Sequence, residues 1–212
     1  MTTEIEKIER RTVQYWFQDG LLEMAFGGFL LLLALFFLAE ASAPAKSGWR
    51  FFLDVGLLPL FIFGGWAMNR TVRSLKHKIT YPRTGYVSYR KPERKKRAAR
   101  GFVIGAAAGI LSASMATLFA SKSAGFDWMP AGSGVAFALA LSILAFRTDL
   151  IRLAGLAVFA LAAGIVLSFS GWGDRLGLAV FYGTLAVSLF LSGWLTLRRY
   201  LRKYRLPDEV SQ

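Results

Sequence analysis

The sequence predicts an all-α polytopic membrane protein with six transmembrane helices in three antiparallel hairpins. Of the 212 residues, 55% are hydrophobic, and they occur in long blocks rather than in the periodic stripes of a soluble amphipathic helix. Lys and Arg are concentrated in alternate connecting segments, a pattern typical of multi-pass membrane proteins. Because backbone polar groups in hydrocarbon must be hydrogen-bonded internally, we predict that the blocks are helices.

Six apolar blocks are close to the length of about 20 residues that a helix needs to cross a bilayer. They comprise residues 21–41, 51–68, 102–120, 129–146, 153–170 and 176–197. Short links join the last four blocks, so consecutive helices are predicted to be antiparallel neighbours. The predicted organisation is an interfacial helix, two membrane helices, a basic loop, four membrane helices and a basic tail, at residues 1–20, 21–68, 69–101, 102–197 and 198–212.

The distribution of basic residues predicts the orientation. Segments 1–20, 69–101, 147–152 and 198–212 contain 22 of the 26 Lys and Arg residues. Because basic segments remain on the cytoplasmic side, both termini are predicted to be cytoplasmic and the protein to lie in the cell inner (plasma) membrane. The six tryptophans fall at predicted helix ends, where their amphipathic rings prefer the membrane interface.

The segment before the first block is predicted to form an amphipathic helix over residues 3–18. Thr3 and Glu6 have the spacing of a capping box. Ile5 and Ile8 lie on one face, while basic residues occupy the other. Such a helix either lies on the membrane surface or extends the first span into the cytoplasm, and the sequence leaves both interpretations open.

The basic loop contains a tyrosine-rich stretch, KITYPRTGYVSYRK, at residues 78–91. Residues 79–81 and 86–89 are β-prone, and the Pro and Gly between them match a turn, so a short β-hairpin on the inner membrane surface is predicted. Nucleic acid is not favoured as a partner, because orientation and lipid contact already account for the positive charge. The residues predicted to contact anionic lipid headgroups are Lys76, Lys78, Arg83, Arg90 and Lys91.

Small residues recur every four positions in two of the blocks. Such stripes allow helix backbones to approach closely. Packing within one bundle is the favoured interpretation, and a homo-oligomer formed through the stripe of the third block is the alternative. The two stripes are Gly101, Gly105 and Gly109, which run from the end of the basic loop into the third block, and Ala160, Gly164 and Ser168 in the fifth.

No motif indicates catalysis or resembles a known family. The chain contains no cysteine, and its one histidine, His77, lies in the basic loop. The serines of the apolar blocks have no His or Lys at the same depth that would activate them as nucleophiles. The sequence therefore predicts no catalytic residue, metal ligand or cofactor, and the protein is predicted not to be an enzyme.

A few acidic residues lie close to membrane depth, where charge is unfavourable and commonly functional. Glu23 lies about one turn into the first block and follows Asp19 by four residues, whereas Glu40 and Asp54 lie near the outer ends of the first two blocks. Glu23 and Asp54 are therefore a candidate intramembrane acidic site for a cation or a proton. In the alternative interpretation Arg50 pairs with Asp54 at i, i+4 and Glu40 stays hydrated.

Two functions remain open on these observations. The favoured one is a non-enzymatic scaffold or regulatory component whose basic cytoplasmic face binds anionic lipid of the inner leaflet or an acidic protein partner. The alternative is a small transporter or channel in which Glu23 and a helix kink at Pro59 are the working parts.

Overall fold

The computed structural model of the chain describes residues 17–44, 48–84 and 127–204. The described residues form helices and turns, without a strand among them. A π-helical turn, Lys76–Thr80, connects the second helix to the third. The helices are α1 (Leu21–Ser42), α2 (Gly48–Leu75), α3 (Tyr81–Thr84), α4 (Trp128–Thr148), α5 (Ile151–Ser168) and α6 (Asp174–Lys203).

The prediction of apolar helices able to span a membrane is confirmed for α1, α4, α5 and α6. These helices contain the first, fourth, fifth and sixth predicted blocks, apart from two residues at the end of the fifth. The second block lies within α2, and the third block, 102–120, lies outside the described residues. The count of six spans therefore stays a prediction.

The most extensive helix pair joins α1 to α6, the two described membrane helices that are farthest apart in sequence. Gly20 lies beside Gly193, and Gly27 lies beside Ala186, so the two helices run antiparallel. At both places the backbones are in contact: a Cβ atom on Gly193 would lie 2.7 Å from the carbonyl oxygen of Gly20, the residue before α1. The three-hairpin prediction did not include this pair, because short links identify only sequence neighbours.

The second extensive pair is formed by α4 and α5, which run antiparallel and are joined by a two-residue link. Gly134 faces Gly164 so closely that a Cβ on Gly134 would lie 2.9 Å from the Gly164 Cα. The stripe formed by Ala160, Gly164 and Ser168 therefore packs inside one chain at Gly164, while the stripe of the third block lies outside the described residues. The α6 helix contacts both members of this pair.

Apolar side chains fill the centre of the bundle, and many others lie on its outside. The central residues come from α1, α4, α5 and α6, and Phe181, Leu185 and Leu30 are fully buried. Between Val55 and Ala67 every exposed residue of α2 is apolar, with Leu58 71% exposed and Phe63 69% exposed. Exposed apolar surface of this kind is expected on helices that lipid surrounds.

The predicted β-hairpin is wrong in its first strand, because residues 79–81 lie in the π-helical turn and in α3. The backbone N–H of Tyr81 donates to the Lys76 carbonyl, which continues the helical path after α2. Pro82 is the second residue of α3, where the first-turn N–H groups have no intrahelical partner. The predicted second strand, residues 86–89, lies outside the described part of the chain.

Pro59 lies inside α2, which continues through it from Gly48 to Leu75. The proline removes one backbone hydrogen bond without ending the helix. Two glycines bring α2 against α1: a Cβ on Gly64 would meet the ring of Phe29 at 2.6 Å, and one on Gly56 would meet the ring of Phe36 at 3.4 Å. The kink predicted at Pro59 stays a prediction.

Candidate functional site at the basic end of the bundle

One end of the bundle, which we call the basic end, brings together the start of α1, the end of α2, the start of α5 and the end of α6. Arg83 donates a hydrogen bond to the Tyr204 carbonyl at 2.7 Å, and Arg152 donates one to the Phe17 carbonyl. Both contacts join segments that are far apart in sequence. The Lys and Arg residues that the structure describes at this end are Arg70, Arg73, Lys76, Lys78, Arg83, Arg147, Arg152, Arg198, Arg199, Arg202 and Lys203.

A deeply buried ion pair between Asp19 and Lys76 lies at the basic end. Lys76 Nζ is 3.1 Å from Asp19 Oδ2, and the two side chains are only 3% and 1% exposed. The same carboxylate accepts hydrogen bonds from the Thr80 hydroxyl at 3.0 Å and from the Leu21 backbone N–H at 3.1 Å. Burial lowers the pKa of the Lys76 ammonium, and the neighbouring Asp19 carboxylate opposes this effect. The pair fastens the end of α2 to the start of α1.

A second buried ion pair joins Glu23 of α1 to Arg152 of α5. Arg152 Nη2 is 2.8 Å from Glu23 Oε1, and the Glu23 side chain is 3% exposed. The Ser192 hydroxyl donates to Glu23 Oε2 at 2.9 Å, while Arg152 Nη1 donates to the Thr196 hydroxyl at 2.8 Å. One guanidinium thereby contacts α1, α6 and the Phe17 carbonyl at the same time.

The structure does not bring the two candidate acidic residues together. Asp54 precedes Gly56, which faces Phe36 of α1, so its backbone lies towards the opposite end of α1 from Glu23. The Asp54 side chain lies outside the described residues. Glu23 is not an isolated acid, because Arg152 compensates its charge.

The predicted lipid-contact residues have different surroundings. The prediction is wrong for Lys76, because its ammonium is buried against Asp19. Lys78 is exposed, and Arg83 is partly buried against the Tyr204 carbonyl. Arg90 and Lys91 lie outside the described residues, so their contact with anionic lipid headgroups stays a prediction.

A cleft of about 350 Å³ opens between α5 and α6 beside the second ion pair. We call it the α5–α6 cleft. Its walls combine cationic and hydroxyl side chains with apolar ones, which is typical of sites that bind amphipathic molecules. The residues that form it include Arg152, Leu156, Ser192, Leu195, Thr196 and Arg199.

The opposite end of the bundle carries acidic residues in structural contacts. Asp174, at the start of α6, accepts a hydrogen bond from the Met129 N–H of α4 at 3.1 Å. Asp127, just before α4, accepts one from the Gly173 N–H at 2.9 Å. Each acid thus supplies a partner to the start of the other helix, where N–H groups lack intrahelical acceptors. At the same end Glu40 pairs with Arg175 at 2.8 Å.

Sequence reasoning identified Glu23 but missed the residues that surround it. Arg152 entered the prediction only as one of the basic residues of the inner loops. Ser192 and Thr196 are spaced by four on α6, which places both hydroxyls on one helix face. The sequence does contain a signal for the partners of Glu23. It is a lone arginine at the start of an apolar helix, together with two hydroxyl residues spaced by four on another apolar helix.

No protein-family model matches the chain, and comparison with curated proteins and with solved structures finds no match.

Proposed function

We propose that the chain is a non-enzymatic integral membrane protein, with a scaffold or regulatory role, whose basic end lies at the cytoplasmic face of the plasma membrane and binds anionic lipid headgroups. One observation carries this proposal. Asp19 and Glu23 each pair with a buried or partly buried cation inside the bundle, so they do not neutralise the outward-facing ones. The exposed cations at this end are Arg70, Arg73, Lys78, Arg147, Arg198, Arg199, Arg202 and Lys203.

Two tryptophan–arginine contacts support an interfacial position for the basic end. The Arg70 guanidinium lies 5.5 Å from the ring centroid of Trp66, and that of Arg198 lies 5.8 Å from that of Trp194. Both indole side chains are exposed, by 61% and 46%. Tryptophan prefers the headgroup layer, and each basic residue near an anionic surface contributes about 1 kcal/mol to binding.

The proposal is tested by lipid-dependent thermal unfolding of the purified protein in neutral detergent. Phosphatidylglycerol is expected to raise the melting temperature, whereas phosphatidylcholine is not, because a ligand that binds the folded state stabilises it. Added salt should reduce the effect, since exposed charges are screened. Gln replacements at Arg70, Arg73, Arg198 and Arg202 together should remove at least half of it, while Arg175→Gln at the opposite end should leave it intact. Equal stabilisation by both lipids would contradict the proposal.

Transport is the competing function, and the pairing of Glu23 argues against it. A carboxylate already compensated by Arg152 and bonded by Ser192 is not free to carry a cation or a proton. Liposomes containing the purified protein are therefore expected to show the same ion and proton flux as empty liposomes. A reproducible flux that disappears in Glu23→Gln, but persists in Glu40→Gln, would favour the transporter instead.

A further inference from the structure

We infer that the α5–α6 cleft is a binding site for the phosphodiester headgroup of one anionic phospholipid. This inference rests on the proposed function, since it assumes that the basic end lies at the level of the headgroups. It goes further because it assigns one headgroup to a defined place on the protein. A diffuse basic surface would instead bind many lipids weakly.

The charge of the cleft matches a singly charged anion. Arg152 and Arg199 both form part of its wall. Glu23 compensates Arg152 at 2.8 Å. Arg199 is exposed and, among the described residues, has no carboxylate partner. Counted over the described residues, the cleft carries one positive charge without a carboxylate partner, which is the charge that a phosphodiester monoanion would neutralise.

The cleft also presents a guanidinium that is held in place. The Thr196 hydroxyl accepts from Arg152 Nη1, and the Phe17 carbonyl and Glu23 contact Nη2. The Arg152 side chain is 26% exposed and forms part of the cleft wall, so part of this fixed side chain stays accessible to a ligand. A cation that is already fixed loses little conformational freedom when it binds an anion.

The apolar wall indicates that the ligand is a lipid rather than a free phosphate. Both Leu195, which is 47% exposed, and Leu156, which is 8% exposed, form part of the cleft wall. Leu195 lies three positions after Ser192 and one turn before Arg199, so all three share one face of α6. An acyl chain would cover the exposed leucine while the phosphate contacts the arginines, whereas inorganic phosphate would gain nothing from this wall.

Gly155 supplies a substitution that fills the cleft without disturbing the helices. It forms part of the cleft wall, and a Cβ atom built on it meets nothing within 4 Å. Gly155→Leu should therefore fold normally and occupy the space of the ligand. Gly28, which also has nothing within 4 Å of its Cβ and does not form part of the cleft wall, provides the matched control, Gly28→Leu.

The experiment measures the dissociation constant for phosphatidylglycerol in neutral detergent, from the shift in melting temperature as lipid is titrated. Arg199→Gln is expected to weaken binding about tenfold, which corresponds to the loss of one charge-assisted hydrogen bond. Gly155→Leu is expected to weaken it at least as much. Gly28→Leu and Arg175→Gln, which removes a charge at the opposite end of the bundle, should change it less than twofold. Arg202→Gln, which removes an exposed charge one turn away from Arg199, should weaken binding clearly less than Arg199→Gln does. Inorganic phosphate alone should give no shift.

The outcomes separate the two proposals. If the wild-type protein does not distinguish phosphatidylglycerol from phosphatidylcholine, the proposed function itself fails. If it prefers phosphatidylglycerol but Arg199→Gln and Arg202→Gln weaken binding equally, lipid binds the whole basic surface and the cleft site is overturned. A shift with inorganic phosphate as large as that with lipid would overturn the assignment to a phospholipid. If Gly155→Leu lowers the melting temperature in the absence of lipid, this variant is set aside. The comparison of Arg199→Gln with Arg202→Gln then decides whether the cleft is the binding site.

Discussion

Lys76→Met is expected to lower the free energy of unfolding by about 3–5 kcal/mol, because it leaves the Asp19 carboxylate buried without its cation. The pair is almost completely shielded, with the two side chains 3% and 1% exposed and the charged atoms 3.1 Å apart. Removing one partner of such a pair lowers the free energy of unfolding far more than removing both, because only the single replacement leaves a buried charge uncompensated. Asp19→Asn combined with Lys76→Met should therefore recover much of the lost stability.

Lys78→Met is the matched control for this prediction. Lys78 lies two residues further along the same π-helical turn, carries the same charge and is exposed, so its replacement should change stability by no more than about 0.5 kcal/mol. Reversible unfolding in mixed detergent micelles, followed by far-ultraviolet circular dichroism, provides the measurement. Equal effects of the two lysine substitutions would show that the Asp19–Lys76 ion pair does not stabilise the fold.

The helices themselves were predictable because the length of an apolar block determines whether it can cross a bilayer. The predicted first block begins at Leu21, the residue at which α1 begins, and the predicted sixth block lies wholly within α6. The discrepancies occur at polar ends, since α2 and α6 continue for about one or two turns beyond their apolar blocks. Hydropathy indicates which part of a helix can lie in the membrane. It does not indicate where the helix ends outside the membrane.

The β-hairpin could not be excluded from sequence, since β-branched and tyrosine residues surround a Pro and a Gly. In the structure Thr80 is bonded to Asp19, and this contact holds the segment in a helical path. Local strand propensity stabilises a segment less than such a tertiary contact does. The burial of Lys76 was not predictable from its neighbours in the sequence, because its partner, Asp19, lies far away in the chain, just before α1.

Of the residues that form the buried ion pair beside the α5–α6 cleft, only Glu23 was predicted from the sequence. Glu23 stands out because a carboxylate within an apolar block must be compensated. Its partners, Arg152 and Ser192, become neighbours only through the packing of α1 against α6 and of α6 against α5. That packing depends on small residues whose spacing is common in membrane helices, so sequence alone does not identify which stripes meet.

A close backbone approach of α1 and α6 leads to a second large expected effect, from adding a side chain at Gly27. A Cβ atom there would lie 2.9 Å from the Ala186 carbonyl oxygen and 3.1 Å from the Phe190 backbone nitrogen. Both obstacles are backbone atoms, so a rotamer change cannot relieve the contact. Gly27→Leu is expected to destabilise the fold by at least the roughly 1–3 kcal/mol that overpacking costs, because α6 must move away from α1.

Gly28→Leu tests whether this effect comes from the interface or from the helix itself. Gly28 is the next residue of α1, and a Cβ on it meets nothing within 4 Å, so leucine should be tolerated or slightly stabilising because it forms helix better than glycine. The same unfolding measurement applies to both variants. Separation of α1 from α6 would also pull Ser192 away from Glu23 and strain the Glu23–Arg152 pair, so Gly27→Leu should weaken lipid binding in the α5–α6 cleft while Gly28→Leu leaves it unchanged. If both variants unfold alike, the close approach of the two backbones is not what holds the basic end together.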